Sequence, residues 1–488
     1  MDGLKTSQKN SLLNSRLIRL LSTLNEQEFR RLGKFVRSPF YNYSQPIIRL
    51  YEHLKPYYPA FEAKGLQQQR VWKKVFPKEA FHADKLWRFL AKMNRLVERF
   101  LAVLEMEREE ETEQRFYIRA LGRRNLFADF EKATQQLLQK KQVLGFRDPS
   151  YYVGRIQLLE ALFFHPLIKR DKDQEALLNE LSEGLDNYFI LSKLRVNCVM
   201  KNRDQVRSTD YTSQVMDIVD GYLATGVLDD NLWQQLYSSL RRLQFSPSVA
   251  HYQSFKALLF EHLDELRSTD QRIFFYGGLN YPIRQINAGD AVYYKEAFYW
   301  YKRGLKVGLT VNNNRMSAVT FSNIILLGCR DQDFEWTNHF IEDYQKYLDE
   351  SIRQDMVLYN RGQLYFYQKD FEATIACLSA HNFKQSHFMR SRLMIIRATY
   401  ELFLNTPSHY NLLMTRINTF EKYLYRRQRS YHPNLESCIN ATKIIKGIST
   451  RIFGGELKSR IKKWAREALE AEQKVMVREW LEQKVATL

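Results

Sequence analysis

The chain is poor in the residues that interrupt secondary structure. Its 488 residues include only 19 glycines and 11 prolines, both below average usage. Few such residues leave few tight turns, so we expect long uninterrupted elements. β-Sandwiches, barrels and glycine-rich cofactor folds are therefore disfavoured. Apolar residues make up 44% of the chain, which is enough for a globular core.

Cysteines and long apolar runs are scarce as well. The four cysteines (Cys198, Cys329, Cys377 and Cys438) form no Cys-x-x-Cys pair, which fits a reducing compartment and disfavours a zinc site. No run of 18 apolar residues occurs, and the first ten residues hold no apolar stretch. We therefore expect a cytoplasmic protein with no transmembrane segment and no secretory signal.

Signatures of catalysis are also missing from the sequence. It contains no Gly-x-Gly-x-x-Gly, phosphate loop, Gly-x-Ser-x-Gly or His-Glu-x-x-His motif. The closest histidines, His381 and His387, are six residues apart and do not share one helix face. We therefore expect no catalytic residues, no cofactor and no metal. An enzyme that assembles its site from distant elements is the rival interpretation.

Positive charge is concentrated at the two ends of the chain. The net charge of +19 divides into +12 for residues 1–100, −1 for residues 101–410 and +8 for residues 411–488. Basic ends around a neutral middle indicate that the ends face an acidic surface, such as nucleic acid, an anionic membrane or an acidic protein.

Residues 1–110 have the pattern of a compact basic helical domain. Asn25 and Glu28 fit a capping box at the start of a helix that ends at Ser38. Shorter helices follow, and then a long helix from about Lys85 to Glu113. The connection before this long helix has about eight residues, more than the three or four of a helix-turn-helix motif. A sequence-specific DNA reader is therefore disfavoured.

An internal repeat appears in the middle of the chain. The tripeptide Asp-Phe-Glu occurs with its Phe at positions 130, 334 and 371, each time at the expected start of a helix. Around the third copy, Gly362 and Tyr365 precede Phe371, and Thr374 follows it. A looser copy begins near Tyr294. The copies at Tyr294, Phe334 and Phe371 are spaced by 40 and 37 residues.

This pattern resembles the tetratricopeptide repeat, most closely around residues 290–380. In that family a small residue lets two antiparallel helices approach, and Gly362 takes its position here. The resemblance implies an all-α fold, an α-solenoid of helix pairs over residues 111–430. Residues 1–110 would precede it, and basic capping helices would follow in residues 431–488, including a charged helix from Glu456 to Lys484.

The resemblance also implies a binding surface. First-helix positions line the inner surface of the solenoid in this family, and they correspond here to Tyr359, Gln363 and Phe366. The alternative is that Phe366 packs only against the next repeat.

A stripe of cations marks the long basic helix. Taking 100° per residue, five side chains fall within about 80° of arc. We call these residues the basic stripe: Lys85, Arg88, Lys92, Arg95 and Arg99. They are spaced to contact phosphates or an acidic partner. The alternative is a solvated face paired with acids elsewhere, such as Glu109, Glu110 and Glu111.

Together these features predict a non-enzymatic helical repeat scaffold that binds a protein or peptide partner on the solenoid surface. The alternative is a nucleic-acid-binding protein that uses its basic termini. The sequence does not indicate an oligomeric state.

Overall fold

The structure is a computed structural model. It describes residues 11–61, 65–143, 147–167, 173–207, 211–212, 214–226, 230–266, 268–427 and 434–488. Throughout these ranges the regular elements are helices, apart from two isolated β-bridges, Ser11 with Gln67 and Asn312 with Arg315. The predicted all-α fold is thus confirmed. In the same ranges, no helix combines the length and the apolarity needed to cross a membrane.

The chain divides into two compact units, residues 1–188 and 189–488, with the boundary inside α9. The helices up to that boundary are α1 Arg16–Leu21, α2 Glu26–Arg37, α3 Gln45–Leu54, α4 Gln68–Val75, α5 Ala83–Arg108, α6 Glu110–Arg123, α7 Phe127–Val143, α8 Pro149–Phe163 and α9 Asp173–Arg207. The predicted boundaries at residues 110 and 430 stay predictions.

The second unit continues with helices of 8 to 21 residues. They are α10 Met216–Leu223, α11 Leu232–Phe245, α12 Val249–His262, α13 Ser268–Asn287, α14 Tyr293–Lys306, α15 Ala318–Arg330, α16 Phe334–Tyr344, α17 Glu350–Tyr367, α18 Phe371–Ser379, α19 Gln385–Asn405, α20 Tyr410–Arg426, α21 Leu435–Phe453, α22 Lys458–Ala471 and α23 Arg478–Thr487.

The N-terminal helices form as the sequence indicates. Asn25 caps α2 through the predicted box, since its side chain accepts from the Glu28 N–H and Glu28 accepts from the Asn25 N–H. Helices α1 to α5 share one apolar core that extends from Leu12 to Leu104. The long basic helix is shorter than predicted, because the chain breaks at Glu109 and restarts as α6.

The first Asp-Phe-Glu copy differs from the prediction. Helix α7 begins at Phe127, so Phe130 lies inside the helix instead of opening it. Phe130 is nevertheless a core residue and faces Gly122 of α6. The other two copies match the prediction, because Asp333 and Asp370 are the N-cap residues of α16 and α18.

In the second unit, consecutive helices pack as six pairs, from α11/α12 to α21/α22. The second helix of each of the first five pairs also packs on the first helix of the next pair. We call the odd-numbered helices α11 to α21 the first-helix layer. Within it, α11 contacts α13, α15 contacts α17, α17 contacts α19, and α19 contacts α21. The unit is therefore an all-α helical repeat solenoid, in which each pair buries its apolar face on its neighbours.

Glycines allow close approach within the pairs. A Cβ atom added to Gly362 of α17 would lie 2.6 Å from Leu378 Cδ2 of α18, closer than real Cβ contacts allow. The first helices of three more pairs place a glycine against their partner helix in the same way: Gly278 faces Trp300, Gly328 faces Thr337, and Gly447 faces Trp464. The role predicted for Gly362 therefore recurs along the array.

The C-terminal end differs from the single charged helix that was predicted. The chain breaks after Ala471 and resumes as α23 at Arg478. Residues 472–477 form a turn in which Val477 has a φ of 58°. Two helices therefore occupy the span from Glu456 to Lys484, and the second packs on the array.

Replacing Gly362 by alanine should destabilise the second unit. The new methyl overlaps a buried leucine, and overpacking costs about 1–3 kcal/mol. This exceeds the advantage of about 1 kcal/mol that alanine has over glycine in a helix. The measurement is urea unfolding followed by circular dichroism. Gly221→Ala is the matched control, because a Cβ there meets nothing within 4 Å. If both variants unfold at the same or higher urea concentration, the close approach at Gly362 is unimportant.

Candidate functional site

The three predicted inner-surface residues all lie on α17, in the first-helix layer. Tyr359 is half-buried, and its ring lies 6.0 Å from that of His387. Burial raises the pKa of its hydroxyl. Gln363 and Phe366 are buried. The Phe366 ring packs 5.5 Å from Phe371 and beneath the Arg397 guanidinium. Phe366 thus contacts the second helix of its own pair and Arg397 of the next pair, and both partner binding by these three residues and its alternative stay predictions.

The C-terminal helix α23 docks on the ends of several array helices. Five residues receive it, which we call the α23 seat: Tyr294, Arg330, Arg397, Tyr400 and Glu401. Tyr294 opens α14, Arg330 ends α15, and the other three lie in the last part of α19. Elements separated by more than a hundred residues in sequence therefore meet at one helix.

Glu479 is the charged contact of α23. Both of its carboxylate oxygens accept from the two terminal nitrogens of Arg330, a bidentate pair. The Tyr294 hydroxyl adds a hydrogen bond at 3.3 Å. The Arg330 guanidinium also lies 4.5 Å from the Tyr294 ring centre. The hydrogen bonds from Arg330 hold the pKa of Glu479 below its usual range, so the carboxylate is ionised at neutral pH.

Trp480 is the apolar contact of α23. Its ring is buried and meets Tyr400 edge-on, with 5.4 Å between ring centres. Trp480 Nε1 donates to Glu401 at 2.9 Å, and Lys484 Nζ donates to the other oxygen of the same carboxylate at 2.6 Å. Among the described residues, the hydrogen bonds to the buried Glu401 carboxylate therefore come only from α23.

Arg397 lies between two aromatic rings and, in the described part of the chain, forms no ion pair, although it interacts electrostatically with Glu401. Its guanidinium is 4.3 Å from the Phe366 ring centre and 4.8 Å from that of Trp480. Its Nε is buried and, within the described residues, has no hydrogen-bond partner. Burial lowers the pKa of Arg397 to about 10. A cation in this position is stabilised by the faces of the two rings.

The turn before α23 is fixed to α21. Asn440 donates to Glu472 at 2.8 Å and to the Lys474 carbonyl at 3.0 Å, and the Met476 N–H donates to the Ser437 carbonyl. Val477 adopts a left-handed backbone conformation, which is unusual for a β-branched residue and costs of order 1–3 kcal/mol. The contacts of α23 with its seat help to hold this strained turn.

The basic stripe is solvent-exposed along α5, as predicted. Lys85 pairs with Glu79, and Arg88 donates to the Asp84 carbonyl. Lys92 and Arg95 have no ion pair or hydrogen bond in the part of the chain that the structure describes. Arg99 lies 5.0 Å from the Tyr41 ring centre.

The acids expected to neutralise the stripe are engaged elsewhere. Glu98 of the same helix pairs with Arg16 at 2.9 Å. Glu110 pairs with Lys140, and Glu111 lies within 4.0 Å of Arg115. Glu110 and Glu111 thus pair with cations outside the stripe, and the choice between a solvated face and a binding face stays a prediction.

The thiols have no reactive environment. Burial raises the pKa of Cys198 and Cys329 to about 12 and that of Cys438 to about 11, and it also raises the pKa of Cys377. These thiols are therefore protonated near neutral pH. Within the described ranges, no group of three or more His, Cys, Asp or Glu side chains could hold a metal ion.

Comparison with family models, with curated proteins and with solved structures gives no match for this chain. The class is therefore defined by the fold alone, an all-α helical repeat, and the tetratricopeptide likeness stays a proposal.

Sequence reasoning missed the α23 seat. Its residues are single cations, acids and aromatics at helix ends, with no shared spacing. The one available signal is the Glu479-Trp480 pair, which places an aromatic beside an acid in a helix that was expected to have a polar outer face.

The Glu479–Arg330 pair should make stability depend on pH. The folded pKa of Glu479 is depressed, so its contribution is full above the unfolded pKa of about 4.3 and is lost as the pH falls through the folded value. Glu479→Gln should therefore cost up to about 1 kcal/mol at neutral pH and much less at strongly acidic pH. Urea unfolding at both pH values measures the difference. Glu482→Gln, on the exposed side of α23, should show no such pH dependence; equal behaviour of the two variants would contradict the assignment.

Proposed function

We propose that this chain is a non-enzymatic helical repeat scaffold that binds a helical segment of a protein partner on its first-helix layer. One observation carries the proposal: the array already holds a helix there, α23, through a bidentate ion pair and a buried tryptophan. Helices that dock by a few anchor side chains are a common mode of peptide recognition.

The chemistry of the seat defines the partner. Arg330 takes a carboxylate, and Tyr400 with Arg397 takes an aromatic ring. The Glu401 carboxylate accepts from an indole N–H and an ammonium group. A partner helix would therefore carry an acid next to an aromatic, with a cation one turn later. In the free chain α23 supplies these groups itself, so the partner competes with it.

A peptide supplied in trans tests the seat. The probe is a fluorescein-labelled peptide with the sequence of residues 474–488, added to the full chain and followed by anisotropy. Glu479→Lys replaces the ion pair with Arg330 by a repulsion between two cations at a half-exposed position, and it should weaken the docking of α23. The peptide should bind this variant at least about tenfold more tightly than the wild type, since the competing helix is weakened.

Two controls make the test specific. Glu482→Lys introduces the same charge change on the exposed side of α23 and should leave peptide binding at the wild-type level. The charge swap Arg330→Glu with Glu479→Lys should restore the internal contact and reject the wild-type peptide. The proposal is wrong if the peptide fails to bind the Glu479→Lys variant, or if both lysine variants bind it equally.

A second candidate function is polyanion binding by the basic stripe. It is supported by the exposed Lys92 and Arg95, which lack described partners, and by the diversion of Glu98 to Arg16. Cations of this kind on one helix face attract nucleic acid through release of counterions. This surface belongs to the first unit.

A further inference from the structure

Exposed aromatic rings stand at one end of the basic stripe. The segment of residues 38–44, between α2 and α3, carries Phe40 and Tyr43, whose exposed fractions are 76% and 84%. Exposed apolar side chains that are grouped on a surface can mark a binding site. Between them, Tyr41 is half-buried and stacks on Phe35 of the core at 3.9 Å.

The backbone that carries these rings is fixed. Asn42 is buried, and its side-chain amide donates to the Val36 carbonyl at 2.8 Å, while its oxygen accepts from the Ser44 N–H at 3.0 Å. The N–H groups of Tyr41 and Asn42 both donate to the Ser38 carbonyl. The rings therefore project from an ordered loop, and a ligand that uses them pays little for ordering it.

The stripe and the rings form one continuous surface. Arg99, the last cation of the stripe, lies over Tyr41, and Phe40 meets the same ring edge-on at 4.9 Å. The five cations extend from this point along about 21 Å of α5, at a rise of 1.5 Å per residue. A row of positive charge thus leads to the Tyr41 ring and the exposed ring of Phe40, and the exposed Tyr43 follows in the same loop.

We propose that this surface binds a single-stranded polynucleotide. Its phosphates would lie along Arg88, Lys92, Arg95 and Arg99, and its unpaired bases would stack on Phe40 and Tyr43. Charge and stacking platforms combined in this way are typical of single-strand binding. A duplex offers the same phosphates but no free base faces, so the rings favour the single strand. The inference rests on the second candidate function and names its ligand class.

Binding of labelled oligonucleotides to the full chain tests the proposal. The probes are an oligothymidylate of about 15 nucleotides and a duplex of equal length, followed by anisotropy at several salt concentrations. Phe40→Ala with Tyr43→Ala should weaken single-strand binding about tenfold or more, leave its salt dependence unchanged and abolish the preference over the duplex. Both side chains are exposed, so folding should persist, as circular dichroism would verify.

Reversal of the cations should have a different signature. Arg88→Glu, Lys92→Glu and Arg95→Glu together should weaken binding and make the slope of log affinity against log salt shallower by about two. Lys458→Glu, Lys463→Glu and Arg466→Glu on α22 make the same charge change at exposed positions and should have little effect. Tyr117→Ala, an exposed tyrosine of α6, is the control for the ring variants.

Distinct failures have distinct meanings. If single strand and duplex bind equally and the ring variants change nothing, polyanion binding stands but this inference is wrong. If neither oligonucleotide binds at about 50 mM salt, the second candidate function is wrong for nucleic acid, and so is this inference. Binding only to phosphatidylserine vesicles, lost on reversal of the stripe, would instead identify a membrane surface and overturn the inference. Equal losses of affinity in the α22 control would show that the net charge of the chain, and not the position of the stripe, causes the effect.

Discussion

The repeat unit depends on how closely its paired helices approach. Gly278, Gly328, Gly362 and Gly447 each face a side chain of the partner helix at a distance that no Cβ atom could tolerate. Large residues such as Trp300 and Trp464 fill the space opposite, so each pair becomes a rigid unit that stacks on the next. Because close packing fixes the pairs, the ends of their first helices are held in register, and Arg330 lies at one of those ends.

The α23 seat is a consequence of that register. An ion pair that is partly removed from water stabilises the fold only when its geometry is good and its remaining polar atoms are hydrogen-bonded. Glu479 meets this condition through two contacts from Arg330 and one from Tyr294, and Glu401 meets it through Trp480 and Lys484. Arg397 does not meet it, because its buried Nε has no hydrogen-bond partner among the described residues, and its guanidinium packs on aromatic faces instead. The seat is thus specific in its chemistry and incompletely satisfied, which suits a site where one helix can replace another.

The two surfaces rest on different physics. The seat is a desolvated set of directional contacts, for which single substitutions should matter. The basic stripe is an exposed field on one helix, whose strength comes from the diversion of Glu98, Glu110 and Glu111 to other cations. Only at its end, where Arg99 lies over Tyr41 beside Phe40, does the stripe gain a directional element. The charge asymmetry of the chain is in this sense a property of its first unit and its C-terminal helices.

Local interactions are what the sequence by itself determined. The capping box of Asn25 and Glu28, the starts of α16 and α18 after Asp333 and Asp370, and the face shared by Lys85 to Arg99 all involve residues within a few turns of one another, where helix geometry alone fixes the neighbours. Gly362 was identified for the same reason, because its partner helix follows at once. Only the tertiary structure decided the rest. Gly278, Gly328 and Gly447 stand at irregular spacing, and the fold-back of α23 depends on a strained turn at Val477. The seat brings residues 294, 330 and 397 to residue 479 of α23. These contacts are long-range, so no periodic pattern in the sequence predicts them.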